Sequence, residues 1–284
     1  MSDAEGLLPT PRESPTMSEV DAIDRVDDPV TVSSLVSDLR ELGVSAGDTL
    51  VVHSSLSSLG WVAGGPQAVV DALQTVLTDS GTLVMQTHTG QYSDPAVWEN
   101  PPVPDHWVPQ IRNEMPPFRP EVTPTRGMGT IPECFRNYPG VVRSDHPVYS
   151  AAAWGAEAEG IVADHSIDHG LGETSPLARA YDRDADVLHL GTGYSTNTSI
   201  HLAEYRADFD KEYTTSSAPL LRDGERVVVE YDDLETSTDD FEELGADFEA
   251  EVGVTEGVVG AATCKLMDQP ELVDFAVDWF EANR

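Results

Sequence analysis

His201 and Glu204 stand three residues apart in Ile200-His-Leu-Ala-Glu-Tyr205, a segment with a helical pattern. On a helix that spacing puts both side chains on one face, so the carboxylate can orient the imidazole and stabilise its charged form. Such a pair can serve as a general base. The same pattern also fits a capped helix with an idle surface His–Glu pair, so spacing alone does not choose. The context is more specific. Asp186-Val-Leu-His-Leu190 reads as a buried strand, and Gly191-Thr-Gly-Tyr-Ser-Thr-Asn-Thr198 as the turn into the helix. Thr198 and Ser199 carry hydroxyls and N–H groups at the helix's positive end, where an oxyanion would be stabilised.

A second segment has the same plan. Leu50-Val-Val-His53 is an apolar strand, and Ser54-Ser-Leu-Ser-Ser-Leu-Gly-Trp-Val-Ala-Gly-Gly65 is a hydroxyl- and glycine-rich loop before a helical pattern from Pro66. Backbone donors at a strand-to-helix turn suit a phosphate or an extended amide-bearing ligand. The loop lacks the lysine of a phosphate loop and any GxGxxG spacing, which argues against a nucleoside triphosphate or dinucleotide.

Together these segments resemble the aminoglycoside 3-N-acetyltransferases, coenzyme A-dependent antibiotic acetyltransferases. The resemblance also rests on Gly81-Thr-Leu-Val-Met-Gln-Thr-His88, Met115-Pro-Pro-Phe118, Thr123-Pro-Thr125, Met128-Gly129, Arg143-Ser-Asp-His-Pro-Val-Tyr-Ser150 and His169-Gly-Leu-Gly-Glu-Thr-Ser-Pro-Leu177. These follow the family's order from about Val30 to the C-terminus. Gln86, where the family usually has proline, and Arg119, where an acid is common after the phenylalanine, depart from it.

The resemblance implies acetyl transfer from acetyl-CoA to an amine of an aminoglycoside-like acceptor, with His201 as base and Glu204 as its orienting partner. It places coenzyme A on His53, Ser54, Ser55, Leu56, Ser57, Gly60, Trp61, Val62 and Gly64, with no metal. His146, His169 and Glu173 are candidates to line the acceptor pocket, although each also fits a structural turn. The same chemistry on an endogenous amine, or a hydrolase using Ser54 or Ser199, are the alternatives; no Gly-x-Ser-x-Gly elbow supports the last. Cys134 and Cys264 form neither a disulfide framework nor a metal spacing.

The chain carries 51 acidic against 16 basic residues, a net charge of −35, and its only lysines are Lys211 and Lys265. An excess spread over the whole chain reads as a halophile's solvated surface. It excludes nucleic acid as a partner, because phosphate contacts need a basic face. No apolar stretch approaches the ~20 residues of a membrane span, and no signal peptide is visible, so a cytoplasmic monomer or homodimer is expected.

Residues 1–28 are expected to be a disordered acidic tail, with Met17 a candidate initiator, and residues 29–284 a single domain. Strands alternate with helices through the first two-thirds, and a late hairpin turns at Arg222-Asp-Gly-Glu225. The expected fold is a three-layer α/β domain around a mixed sheet, the fold the resemblance also implies. Residues 91–125, rich in proline and tryptophan, are expected to form a substrate-side loop or lid.

Overall fold

The computed structural model describes residues 17–99 and 101–284. Its main sheet is built from β1 (Thr49–Ser54), β2 (Thr82–Gln86), β3 (Val142–Arg143), β4 (Ala151–Gly155), β5 (Asp186–Leu190), β8 (Thr255–Val259) and β9 (Ala262–Asp268); β6 (Tyr213–Arg222) and β7 (Glu225–Leu234) form a separate hairpin. The spatial order is β3-β4-β2-β1-β5-β9-β8. The three central strands β2, β1 and β5 run parallel, and the flanking pairs are antiparallel. The expected mixed sheet is therefore present.

Alternation along the central strands makes the three layers. Leu50, Val52, Leu83, Met85, Leu188 and Leu190 face α2 (Val32–Leu42), α3 (Pro66–Leu77) and α5 (Thr130–Phe135). Val51, Val84, Val187 and Met267 face the other way, onto α6 (Ala158–Val162), α7 (Pro176–Tyr181), α8 (Ser199–Arg206), α9 (Phe241–Glu251) and α10 (Gln269–Asn283). Strands buried on both faces must be apolar at nearly every position, as these are. No described helix is long and apolar enough to cross a membrane.

The chain leaves β1 toward α3 on one face of the sheet, and leaves β5 toward α8 on the other. Adjacent parallel strands whose connections diverge in this way open a crevice beyond their carboxyl ends, where α/β sheets bind ligands. Both segments singled out in the sequence start at this crevice.

Three sequence expectations change. Of the expected tail, residues 1–16 lie outside the described residues, but Met17–Asp24 forms α1, with Ala22 buried. The β6–β7 hairpin does turn at Asp223 and Gly224, whose φ values of 52° and 80° suit a tight two-residue turn. It stays outside the main sheet, however, and the unforeseen β8–β9 hairpin completes the sheet instead. Residues 91–125, which include the short helix α4 (Val108–Glu114), pack onto β6–β7. Phe118 N–H donates to the Pro219 carbonyl at 2.8 Å, and Arg226 Nε to that of Met115 at 2.7 Å. Among the described residues, none of 91–125 lines the two crevice cavities; this segment packs against the hairpin.

Candidate active site

His201 lies in the first turn of α8, with only 12% of its side chain exposed. Its Nδ1 meets Glu204 Oε2 at 2.5 Å. A ring N–H donated there leaves Nε2 as the lone-pair nitrogen, the tautomer a base needs. Glu204 is fully buried, and its second oxygen accepts from Arg284 Nη1 at 2.5 Å and from the Ser237 backbone at 3.2 Å. Arg284 also pairs with Asp240 at 2.7 Å and lies 4.0 Å over the Phe280 ring. A buried carboxylate held on both oxygens cannot rotate freely, so it fixes the imidazole in turn. Nothing near Glu204 in the sequence announces Arg284; the packing of α10 against α8 brings it there.

The head of α8 differs from expectation. The Ser199 N–H donates to Asn197 Oδ1 at 3.1 Å, the Ile200 N–H to the Asn197 carbonyl at 3.2 Å, and the His201 N–H to the Thr198 carbonyl at 3.1 Å. The first amides are therefore spent on the turn itself. Ser199 is fully buried, and its Oγ accepts from Gln269 Nε2 at 3.2 Å. Ser199 thus faces the core and not the crevice, which leaves Thr198, of the two, on the cavity wall.

Two cavities adjoin in the crevice. The first, of about 350 Å³, is lined by His201, Thr198, His53, Gln86, His88 and Tyr149 among others. The second, of about 650 Å³, is lined by Ser54, Ser55, Leu56, Ser57, Gly60, Trp61 and Val62, with Gly127 to Thr130 opposite. Ser54, Gly127, Met128, Thr192 and Thr196 line both, so a ligand in one can reach a ligand in the other. Gly191 permits the close approach of the loop after β5 to the loop after β1. Its φ is +73°, and a Cβ there would lie 2.6 Å from Ser58 Cβ.

His53, expected on the coenzyme side, lies on the first cavity instead. Burial, helped by the neighbouring His189 and His201, lowers its pKa to about 3. His88, to which the sequence assigned no role, is on the same wall; burial lowers it to about 3, and its Nε2 lies 3.2 Å from Gln86 Oε1. His146 does not reach the cavity. Its Nδ1 accepts the Val148 and Tyr149 N–H groups at 3.1 and 2.9 Å, and its Nε2 lies 3.1 Å from the Ile167 carbonyl. It is the fully buried pin of a turn. His169 is exposed against the rings of Tyr205 and Tyr213, and Glu173 pairs on the surface with Arg206 at 2.8 Å. Both lie off the cavity wall, since their turn faces outward.

The second cavity is lined mainly by small and hydroxyl-bearing side chains and by glycine backbone. Gly65, at the head of α3, has φ +60° and nothing within 4 Å of where a Cβ would stand. A glycine that is empty on its cavity side leaves room for close approach of ligand to backbone. Gly64, expected in this role, is not on the wall, and at Gly60 a Cβ would strike Val26 at 2.6 Å. Gly65→Ala is therefore expected to raise the Michaelis constant for acetyl-CoA about tenfold, equivalent to about 1.4 kcal/mol. The constant for the amine should stay within about twofold. Equal shifts in both, or none, would remove Gly65 from the thioester site.

Comparisons with known proteins place the chain in a family. A family model described as aminoglycoside 3-N-acetyltransferase matches residues 51–281. The aminoglycoside N(3')-acetyltransferase-like protein YokD of Bacillus subtilis is 47% identical over 256 residues, covering 90% of this chain and 94% of its own. Its crystal structure superposes with a TM-score of 0.91 at 45% identity, over 93% of this chain and 98% of that one. Aminoglycoside N(3)-acetyltransferase VII of Streptomyces paromomycinus is 36% identical over 280 residues, 93% of this chain and 96% of its own. A structure of AAC-IIIb as a binary complex with CoASH has a TM-score of 0.82 at 32% identity, over 90% and 97% of the two chains. The fold, the order of the motifs and these identities leave one conclusion: this chain belongs to the aminoglycoside 3-N-acetyltransferase family.

Proposed function

We propose that the chain transfers acetyl from acetyl-CoA to an amine of an aminoglycoside-like acceptor, by direct attack assisted by His201. The observation that carries the reading is the His201–Glu204 pair on the wall of one cavity, with a second cavity joined to it through shared residues. An amine acceptor is mostly ammonium at neutral pH and must lose a proton to attack. His201 Nε2 takes that proton, the freed lone pair forms the new bond to the acetyl carbon, and the nitrogen's second proton passes to water as the amide forms. The carbonyl oxygen gains charge and is met by the Thr198 hydroxyl; its collapse breaks the carbon–sulfur bond, and the thiolate takes the proton held by His201 to leave as coenzyme A. The wider cavity holds the thioester, with the positive end of α3 beside its phosphates.

The hydrolase alternative is less well supported. Ser54 Oγ makes no hydrogen bond, so no base activates it, and Ser199 is turned into the core. The acidic surface belongs to the same proposal as adaptation to concentrated salt. With −35 of net charge, the chain repels both itself and the phosphates of its substrate until salt screens the field. The Debye length falls from about 10 Å at 0.1 M to about 3 Å at 1 M.

Release of free thiol from acetyl-CoA, followed with and without an amine from dilute buffer to molar potassium chloride, tests both parts. Strict dependence on the amine and a steep rise with salt are expected. Equal release without an amine would replace transfer by hydrolysis. A flat salt profile would remove the salt adaptation alone.

A further inference from the structure

Arg284, the residue after α10, reaches more of the site than Glu204 alone. Its Nη1 donates to Glu204 Oε1 at 2.5 Å. Its Nε and Nη2 donate to the two oxygens of Asp240 at 2.8 and 2.7 Å, and Nη2 also donates to the Ser237 carbonyl at 3.2 Å. The guanidinium lies 4.0 Å over the Phe280 ring and 5.4 Å from that of Phe209. An exposed ion pair contributes little, but this one ends on a fully buried carboxylate, where the loss of a partner is felt. A planar fork of five N–H donors can hold three partners at fixed angles, which an ammonium cannot do.

Each of the three partners leads to the first cavity. Glu204 holds His201 Nδ1 with its other oxygen. Asp240 directly precedes Phe241, a fully buried residue whose ring centroid lies 5.0 Å from that of the His201 imidazole. Ser237 follows Thr236, which lines the cavity, and the Ser237 N–H donates to Glu204 Oε1 at 3.2 Å. One guanidinium therefore ties together α8, the head of α9 and the segment between β7 and α9. The imidazole is held by Glu204 at one nitrogen and packed by Phe241, and both contacts run back to Arg284.

Resting on the acetyl-transfer reading above, we propose that Arg284 is a positioning residue for the reaction. It aims His201, chiefly through Glu204, and it keeps Thr236 on the acceptor wall through Ser237. It touches no substrate itself. Without the guanidinium, Glu204 is free to turn away from Nδ1, and a turned imidazole misses the amine; a misplacement of about 1 Å can cost about 100-fold in rate. None of Glu204, Thr236 and Phe241 lines the second cavity, so the thioester side lies outside the reach of Arg284.

The test uses the full chain with tobramycin as acceptor, and reads kinetics and proton resonances on the same variants. Arg284→Gln should lower kcat by about 10- to 100-fold, the range for losing a partner that orients a working side chain. The Michaelis constant for tobramycin should rise about threefold, while that for acetyl-CoA stays within about twofold. In a Glu204→Gln background the same substitution should lower kcat by less than about threefold, because both changes act through one contact. The His201 Nδ1 proton, assigned by its loss in His201→Gln, should give a far-downfield resonance that is lost or displaced in Arg284→Gln. Arg284→Lys, which keeps the charge without the fork, carries the test if Arg284→Gln does not fold; about a tenfold loss of kcat and a displaced resonance are expected. A folded variant with wild-type kcat or an unmoved resonance would overturn the proposal. So would an equal loss of kcat with and without Glu204, or a lysine variant that cannot fold, since either makes the role purely structural. A wild-type chain that acetylates no amine would defeat the transfer reading, and the resonance alone would then decide whether Arg284 holds the His201–Glu204 pair.

Discussion

Replacing His201 by glutamine should lower turnover by about two to four orders of magnitude, the usual range for losing a positioned general base. Acetyl-CoA binding should stay close to normal, because His201 lines the first cavity and not the second. Glutamine keeps the length and a hydrogen bond toward Glu204 but has no basic nitrogen to take a proton. No other imidazole on the wall can substitute: His53 and His88 are held near 3 by burial, too weakly basic to relieve an ammonium. His146 has both ring nitrogens committed to backbone groups. Steady-state turnover and coenzyme A titration of the same preparation separate the two effects. Near-normal turnover in His201→Gln at neutral pH would show that the base is elsewhere.

Acid should unfold the chain well above the range where its carboxylates titrate. Burial lowers His53, His88 and His146 to about 3 and His165 and His189 to about 4. The unfolded chain takes up these protons first, near the ordinary value of about 6.5. Their contribution is whole above about 6.5 and is lost as pH falls toward the folded values. Each proton difference is worth about 1.4 kcal/mol per pH unit, so the five together approach about 7 kcal/mol per unit, against a typical total of about 5–15 kcal/mol. Asp186 opposes them. Burial and the nearby Asp48 and Asp268 raise it to about 6, so the folded chain gains its proton first and stability rises as pH falls from there. About four protons' worth of acid lability remains. Urea unfolding at pH 7, 5.5 and 4.5 should show the stability falling steeply. His189→Leu should remove about 1.4 kcal/mol per pH unit of that slope. A stability that is flat across this range, or a variant with the wild-type slope, would exclude buried histidine as the cause.

Much of this was legible in the sequence, and the legible part is local. Apolar runs such as Leu50–Val52 and Val187–Leu190 read as strands because a strand buried on both faces must be apolar throughout. The three-residue spacing of His201 and Glu204 fixed their contact, because a helix has one geometry. The hydroxyl-rich loop from Ser54 to Val62 lies on a cavity wall as expected, since a strand-to-helix turn leaves it at the sheet's carboxyl edge. What sequence could not decide were the choices between equivalent local options. Two hairpins turn tightly, and only packing sends β8–β9 into the sheet and leaves β6–β7 with residues 91–125. Histidines look alike in sequence. Burial and backbone partners make His146 a structural pin, while the carboxyl ends of β1 and β2 set His53 and His88 on the cavity wall. Arg284 reaches Glu204 across 80 residues because α10 lies against α8, and that contact follows from burying the apolar faces of both helices, which no local pattern records.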